Sequence, residues 1–411
     1  MRPKASRRFI VIDPGLMSAG GHHAGFAAMV ESSLPRHENL TVEFVAHQDI
    51  DVEIRESLES AGCSVHADFS INFYECYTQS CKIPDIQPYL LQVTKEYRNV
   101  IESSMRHHAD ETVTFFYPTI GWEHAYCLAL ALQSMTSIPS CAKHIVCAMV
   151  NPALDYRGRT TDQHKRLNNR IAFRWLSRFE SVQIYASDSE LATAYAKLLD
   201  QRQPLPIHPC YLVDWEGIRS SMATSKNTNT PLNIILYIGD AKENKGFCHL
   251  PDLIREFLVD NSLDVEINIQ YTLPWSSEAV IKTAGELKQI AKQDQRLILC
   301  EGFLSDTALH DYLQQADLFV VNYDQKAYQD KNSGLAWLIG WYQTPVVFLD
   351  TSWLSREAVR LEIPILKKGD SWGELMTRVK QIKQKNSELE KDTSPYRLSI
   401  FQPFWSWIAS R

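Results

Sequence analysis

The stretch Leu297–Asp324, LILCEGFLSDTALHDYLQQADLFVVNYD, with Lys331–Asp350, KNSGLAWLIGWYQTPVVFLD, decides the fold class of this 411-residue chain. An apolar strand runs into a short loop. A helix is predicted to start under Ser305, whose hydroxyl can accept a first-turn N–H, and Ala316-Asp317 leads into the apolar run Leu318 to Val321. The second stretch predicts an Asn-Ser-Gly loop, a helix and a buried strand, Pro-Val-Val-Phe-Leu. Strand, helix and strand in this succession make a parallel sheet covered by helices. Ser333 and Gly334 fall at the mouth of a helix, where outward N–H groups and the positive helix end favour a phosphate.

The same grammar extends upstream. Ile234 to Gly239 is a predicted strand, and Asp240-Ala241-Lys242-Glu243-Asn244-Lys245-Gly246-Phe247 is a loop ahead of a helix. In the first half, strands are predicted at Phe9–Asp13, Thr41–Ala46, Val113–Tyr117, His144–Met149 and Val182–Ala186. Helices are predicted near Phe26–Ser33, up to about His107, and over Glu123–Met135, Asp162–Arg178 and Ser189–Leu199. Gly15 to Gly25 reads as a glycine-rich loop, Pro118 to Gly121 as another, and Asp68 to Pro88 as aromatic and irregular. The polar, apolar-poor run SSMATSKNTNTP reads as a linker. The organisation expected is a doubly wound domain at 1–219, a linker at 220–231, a second such domain at 232–385 and a tail at 386–411. The tail carries Phe401, Phe404, Trp405 and Trp407, suited to packing on the first domain or to resting on a membrane surface.

A net charge of -7 argues against a general nucleic-acid binder, which carries a basic face. Nine cysteines at irregular spacing form no CxxC pair, so reduced thiols are expected rather than disulfides or a zinc site. The basic amino terminus passes directly into one short strand, and no apolar run reaches membrane-spanning length. A cytoplasmic protein is expected, with peripheral contact at the inner membrane face as an extension of that reading. The sequence shows no GxGxxG in compact register, no GxSxG elbow and no GxxxxGK[ST] loop.

Two ordered blocks carry a resemblance. Gly302-Phe303-Leu304-Ser305 with Leu309, Ala316 to Val320, Ser333-Gly334 and Thr344-Pro345-Val346-Val347, together with the upstream Lys245-Gly246 loop, resemble the GT-B glycosyltransferases, particularly their retaining, family 4-like branch. That resemblance implies an α/β fold of two Rossmann-like doubly wound domains facing a cleft, with the C-terminal helix crossing back to the first domain. It implies a nucleotide-diphosphate sugar as donor substrate, no cofactor and no metal. In the donor site it places Gly21, Gly239, Asp240, Lys245, Tyr323, Asp330, Ser333 and Gly334, with Lys245 meeting the phosphates. One departure stands out. The family's glutamate pair falls on Asp330 and Leu338, and a leucine cannot accept hydrogen bonds from a ribose.

Three histidines join Lys245 as candidate catalytic groups. His22 and His23 follow the first strand, and His124 starts the helix after Pro118-Thr119. An imidazole near neutral pH can move a proton or bind a phosphate oxygen, and a helix-entry or core role is the alternative for each. Arg166, Arg170, Arg174 and Arg178, four apart, would form one basic helical face, either solvated or meeting anionic lipid or a lipid-diphosphate acceptor. The expectation is a glycosyltransferase acting on a glycan or lipid-linked acceptor in surface polysaccharide or glycoconjugate synthesis. A catalytically silent binding protein and a nucleotide-sugar epimerase of the same fold are the alternatives.

Overall fold

The computed structural model describes residues 7–18, 21–34, 40–71, 73, 83–107, 111–135, 142–152, 163–209, 231–273, 277–367, 369, 371–385 and 395–411. The chain divides into two compact units, Met1–Gly217 with Ser399–Arg411, and Ile218–Leu398.

The first unit is built on six parallel strands, β1 (Arg7–Asp13), β2 (Leu40–His47), β3 (Ser64–Phe69), β4 (Thr112–Ile120), β5 (Ala142–Ala148) and β6 (Val182–Ala186), in the order β3-β2-β1-β4-β5-β6. β1 and β4 are central and apolar over most of their length, as strands covered on both faces must be. Around them lie α1 (Gly21–Ser33), α2 (Val52–Ser60), α3 (Ile83–His107), α4 (Trp122–Ser134), α5 (Gln163–Leu176) and α6 (Ser189–Leu198). Because the chain winds outward from β1 in one direction and from β4 in the other, their carboxyl ends flank the crevice where such sheets take ligands.

Several boundaries differ from the sequence reading. α1 begins at Gly21, five residues before Phe26, so His22 and His23 occupy its first turn and not a loop. Gly21 makes that entry at φ 74°, a conformation open to glycine. β4 continues through Pro118 to Ile120, and its register to β5 shifts between Tyr117 and Ile120, where proline has no N–H to give the ladder. α3 starts five residues ahead of Pro88, whereas Tyr74 and Tyr77 lie outside the described residues. α2 and β3 had no counterpart in the expectation. Asp51 caps α2 by accepting the Glu53 N–H at 2.8 Å.

The second unit holds β7 (Leu232–Tyr237), β8 (Val265–Tyr271), β9 (Leu297–Glu301), β10 (Leu318–Val321) and β11 (Val346–Phe348), parallel in the order β11-β10-β7-β8-β9. Its helices are α7 (Leu250–Leu258), α8 (Glu278–Gln293), α9 (Asp306–Gln314), α10 (Gly334–Tyr342), α11 (Trp353–Arg360) and α12 (Trp372–Lys385). Here the winding reverses between β7 and β10. Ser305 caps α9 by accepting the Ala308 N–H at 3.3 Å, the bond its position in the sequence predicts.

After α13 (Pro395–Ile400), α14 (Phe404–Ala409) inserts aromatic side chains into the first unit. Phe404 meets Phe9, Phe26 and Phe116 at ring distances of 6.0, 5.6 and 5.4 Å, and Trp407 meets Tyr185 at 5.0 Å. The Trp405 indole N–H donates to the Ser33 hydroxyl at 3.1 Å. These edge-on contacts are the arrangement that aromatic quadrupoles favour.

Candidate active site

In the second unit the chemistry collects at the carboxyl ends of β7 and β10. The segment after β7 turns at Gly239 (φ 100°) and forms two short 3-10 turns, Glu243–Lys245 and Phe247–His249, hinged on Gly246 at φ 77°. A Cβ on Gly246 would stand 1.8 Å from the Asn322 carbonyl oxygen, so glycine alone lets the turn rest on the chain leaving β10. Asp324 N–H donates to the Asn244 carbonyl at 3.0 Å and holds the same contact. The Tyr237 hydroxyl donates to the Asp240 carbonyl at 2.6 Å and accepts from the Lys242 N–H at 3.0 Å, closing the turn from beneath.

This packing aims Lys245 back at the strand ends. A Cβ on Gly239 would lie 3.7 Å from its Nζ, and the Tyr323 ring centroid is 6.0 Å away. Burial lowers the Lys245 pKa to about 8, with Lys242 adding to the shift and Asp240 opposing it. The Asp240 carboxylate is already engaged by Lys242 Nζ at 3.0 Å and by the Thr272 hydroxyl at 2.9 Å. Burial would raise the Asp240 pKa, but these hydrogen bonds and nearby cations hold it below the usual value.

Tyr323 is buried against Tyr328, ring centroids 4.5 Å apart, and hydrogen-bonds the Ser333 side chain. Ser333 stands at the N-cap of α10 without a side-chain cap bond to the helix; its carbonyl accepts the Ala336 N–H at 3.1 Å, and the N–H groups of the two residues before Ala336 face out of the helix start. Lys245, Gly239, Asp240, Tyr323, Ser333 and Gly334 thus share one strand-end region. Asp330 sits apart in character: it is exposed and lies 3.8 Å from Arg356. Leu338 is half-buried on α10.

In the first unit, β1 ends in Asp13, which is buried. Asp13 Oδ1 accepts the Gly15 N–H at 3.1 Å and lies 2.7 Å from His23 Nδ1. A Cβ on Gly15 would come within 2.4 Å of the His23 ring, so the absence of a side chain at 15 lets the imidazole reach the acid. The His22 ring lies 4.1 Å from that of His23. Burial, then the neighbouring His23, lowers the His22 pKa to about 3 against the pull of Asp13.

His124 is a core residue. Its Nε2 and Nδ1 pair with the hydroxyls of Tyr89 and Tyr97, each at 2.8 Å, and its ring stacks on Phe73 at 4.3 Å. Burial lowers its pKa to about 3, so it is neutral at physiological pH, with both nitrogens committed to tyrosines. On α5, Arg166 and Arg170 are exposed, and Arg170 and Arg174 pair with Asp200, but Arg178 lies beyond the helix end. The α5 face also exposes Leu167 and Ile171, at 52% and 46% of their full surface.

The sequence reading missed Asp13, although an acid closing the first strand, Ile-Asp-Pro-Gly, was a usable signal. Among the described residues no group of three or more His, Cys, Asp or Glu is placed to hold a metal ion, and no helix is long and apolar enough to cross a membrane.

No protein-family model matches the chain, and no curated protein matches its sequence. Solved structures do match over nearly its whole length. A UDP-forming alpha,alpha-trehalose-phosphate synthase from Burkholderia xenovorans superposes at TM-score 0.56 with 10% identity, covering 98% of this chain and 99% of that one. The N-terminal domain of the Candida albicans trehalose-6-phosphate phosphatase gives 0.57 at 9% identity, covering 100% and 94%. MnaA of S. aureus, solved with UDP, gives 0.50 at 10% identity, covering 96% and 94%. At these identities the likeness establishes the architecture: two parallel sheets flanked by helices, the α/β arrangement of the GT-B glycosyltransferases and nucleotide-sugar epimerases.

Proposed function

We propose that the chain is a metal-independent, retaining glycosyltransferase that moves a sugar from a nucleotide-diphosphate donor to a glycan or lipid-linked acceptor. The observation that carries this reading is Lys245, a cation whose charge is stressed by burial beside an uncapped helix N-terminus and a glycine turn at a sheet's switch point. A diphosphate supplies the missing anion. As the bond from the sugar C1 to the leaving oxygen breaks, the developing negative charge would be met by the ammonium and by the α10 N–H groups, already oriented. In the first unit the Asp13 carboxylate, 2.7 Å from His23 Nδ1, would stabilise the imidazolium formed when His23 accepts a proton from an acceptor hydroxyl. The apolar and basic side chains on α5 favour a lipid-linked acceptor at the inner membrane face, in glycoconjugate synthesis.

A thermal-shift screen against uridine, guanosine, adenosine and thymidine diphosphates and their sugar conjugates tests the reading. A selective rise in melting temperature is expected, lost in Lys245→Ala, because a ligand that binds only the folded state must stabilise it. Release of the nucleoside diphosphate with sugar appearing on an acceptor identifies a transferase, and interconversion of two nucleotide sugars an epimerase. No rise with any nucleotide would instead support a silent binding protein, the reading that Leu338 in place of an acid favours.

A further inference from the structure

We infer that Gln270 is a positioning residue that couples two loops of the donor site. The inference rests on the reading of the β7 and β10 ends as a nucleoside-diphosphate site. Gln270 lies on β8, the strand between β7 and β9, and only 4% of its surface is exposed. Its Oε1 accepts the Gly239 N–H at 2.8 Å, and its Nε2 donates to the Gly302 carbonyl at 2.7 Å. Both glycines turn at positive φ, 100° and 120°, at the carboxyl ends of β7 and β9.

Backbone pairing continues past the strand ends through a bridge between Asp240 and Thr272, but the Gly239 N–H takes no part in it. The β7 to β8 register shifts between Ile235 and Tyr237, and beyond it Gly239 gives its carbonyl to the Thr272 N–H at 3.3 Å while its own N–H goes to the Gln270 side chain. One carboxamide thus reaches both ways across the sheet, acceptor toward one loop and donor toward the other. Only an amide of this length offers both: a carboxylate would set an oxygen against the Gly302 carbonyl, and a leucine would leave the Gly239 N–H and the Gly302 carbonyl without this partner. β7 and β9 are two strand spacings apart, about 10 Å, which is comparable to the reach from the diphosphate to the far end of a nucleoside. Gln270 therefore fixes the turn that carries the approach to Lys245 in register with the loop after β9, so that one nucleotide is held by both.

Calorimetric titration with uridine diphosphate, below the melting temperature of every variant, tests this on wild type, Lys245→Ala, Gln270→Leu and Gln270→Glu. The expected result is a tenfold or greater loss of affinity in Gln270→Leu and an intermediate loss in Gln270→Glu, which keeps the volume and the acceptor for Gly239. Lys245→Ala and Gln270→Leu should also be non-additive when combined. If Gln270→Leu does not fold, Gln270→Glu decides alone. Wild-type affinity in the folded glutamine variants, with Lys245→Ala weakened, overturns the positioning role and leaves the site reading standing. Failure of the wild type to bind uridine diphosphate or any of the other three nucleoside diphosphates removes both.

Discussion

The two sheet crevices solve the burial of polar groups in opposite ways. In the first unit His124 and Asp13 have polar neighbours at close range. His124 has a tyrosine hydroxyl on each nitrogen, and Asp13 has the Gly15 N–H and His23. In the second unit Lys245 is set among Gly239, Tyr323 and a carboxylate already engaged by Lys242 and Thr272. A matched network stabilises the fold and fixes geometry, whereas a stressed charge is stability withheld until an anion arrives.

Gly246 carries the largest expected effect. Gly246→Ala forces a Cβ onto the Asn322 carbonyl and a left-handed backbone onto alanine. A loss of about 3 kcal/mol or more in unfolding free energy is expected, with loss of uridine diphosphate binding. Wild-type stability and affinity in this variant would show that the turn does not depend on that contact. Asp13→Asn comes next. Asparagine removes the negative charge 2.7 Å from His23 Nδ1, so turnover, read as nucleotide release, is expected to fall roughly 100-fold, about 2.7 kcal/mol, with nucleotide affinity retained. Unchanged turnover would make the pair a purely structural one.

Lys245→Met sharpens the contrast with a smaller effect of two signs. Uridine diphosphate affinity should fall by about 2 kcal/mol, the worth of a charge-assisted bond, while the unliganded protein melts at a higher temperature. The pH dependence follows from the same shift. The folded pKa is about 8 against an ordinary 10.5, so the unfolded chain binds more protons between these values. Unliganded stability therefore gains from Lys245 as pH rises through that window. Nucleotide affinity runs the other way, strongest below pH 8 and weakening above it as the ammonium is lost. A wild-type affinity profile identical to that of Lys245→Met would remove Lys245 from the phosphate site.

The contrast also explains what the sequence disclosed. The helix mouth at Ser333-Gly334 and the Lys245-Gly246 turn were legible because they depend on local backbone chemistry, written in neighbouring residues. Asp13 with His23, Gln270 with its two glycines, and His124 with Tyr89 and Tyr97 join residues between 10 and 35 positions apart, and nothing in spacing announces which will meet. The start of α1 was misplaced for a related reason. Gly-His-His-Ala-Gly has weak helical preference, and the tertiary contact of His23 with Asp13 accompanies a helix that propensity alone does not foretell.

The aromatic rings of α14 give the molecule an order of assembly. Phe404, Trp405, Trp407 and Ile408 belong to the same buried cluster as Phe9, Phe26 and Phe116. During synthesis residues 218–398 leave the ribosome while that cluster still lacks its last members, so the unit begun first is the one completed last. The nascent first unit must wait with an apolar face uncovered, a period in which chaperones have something to hold.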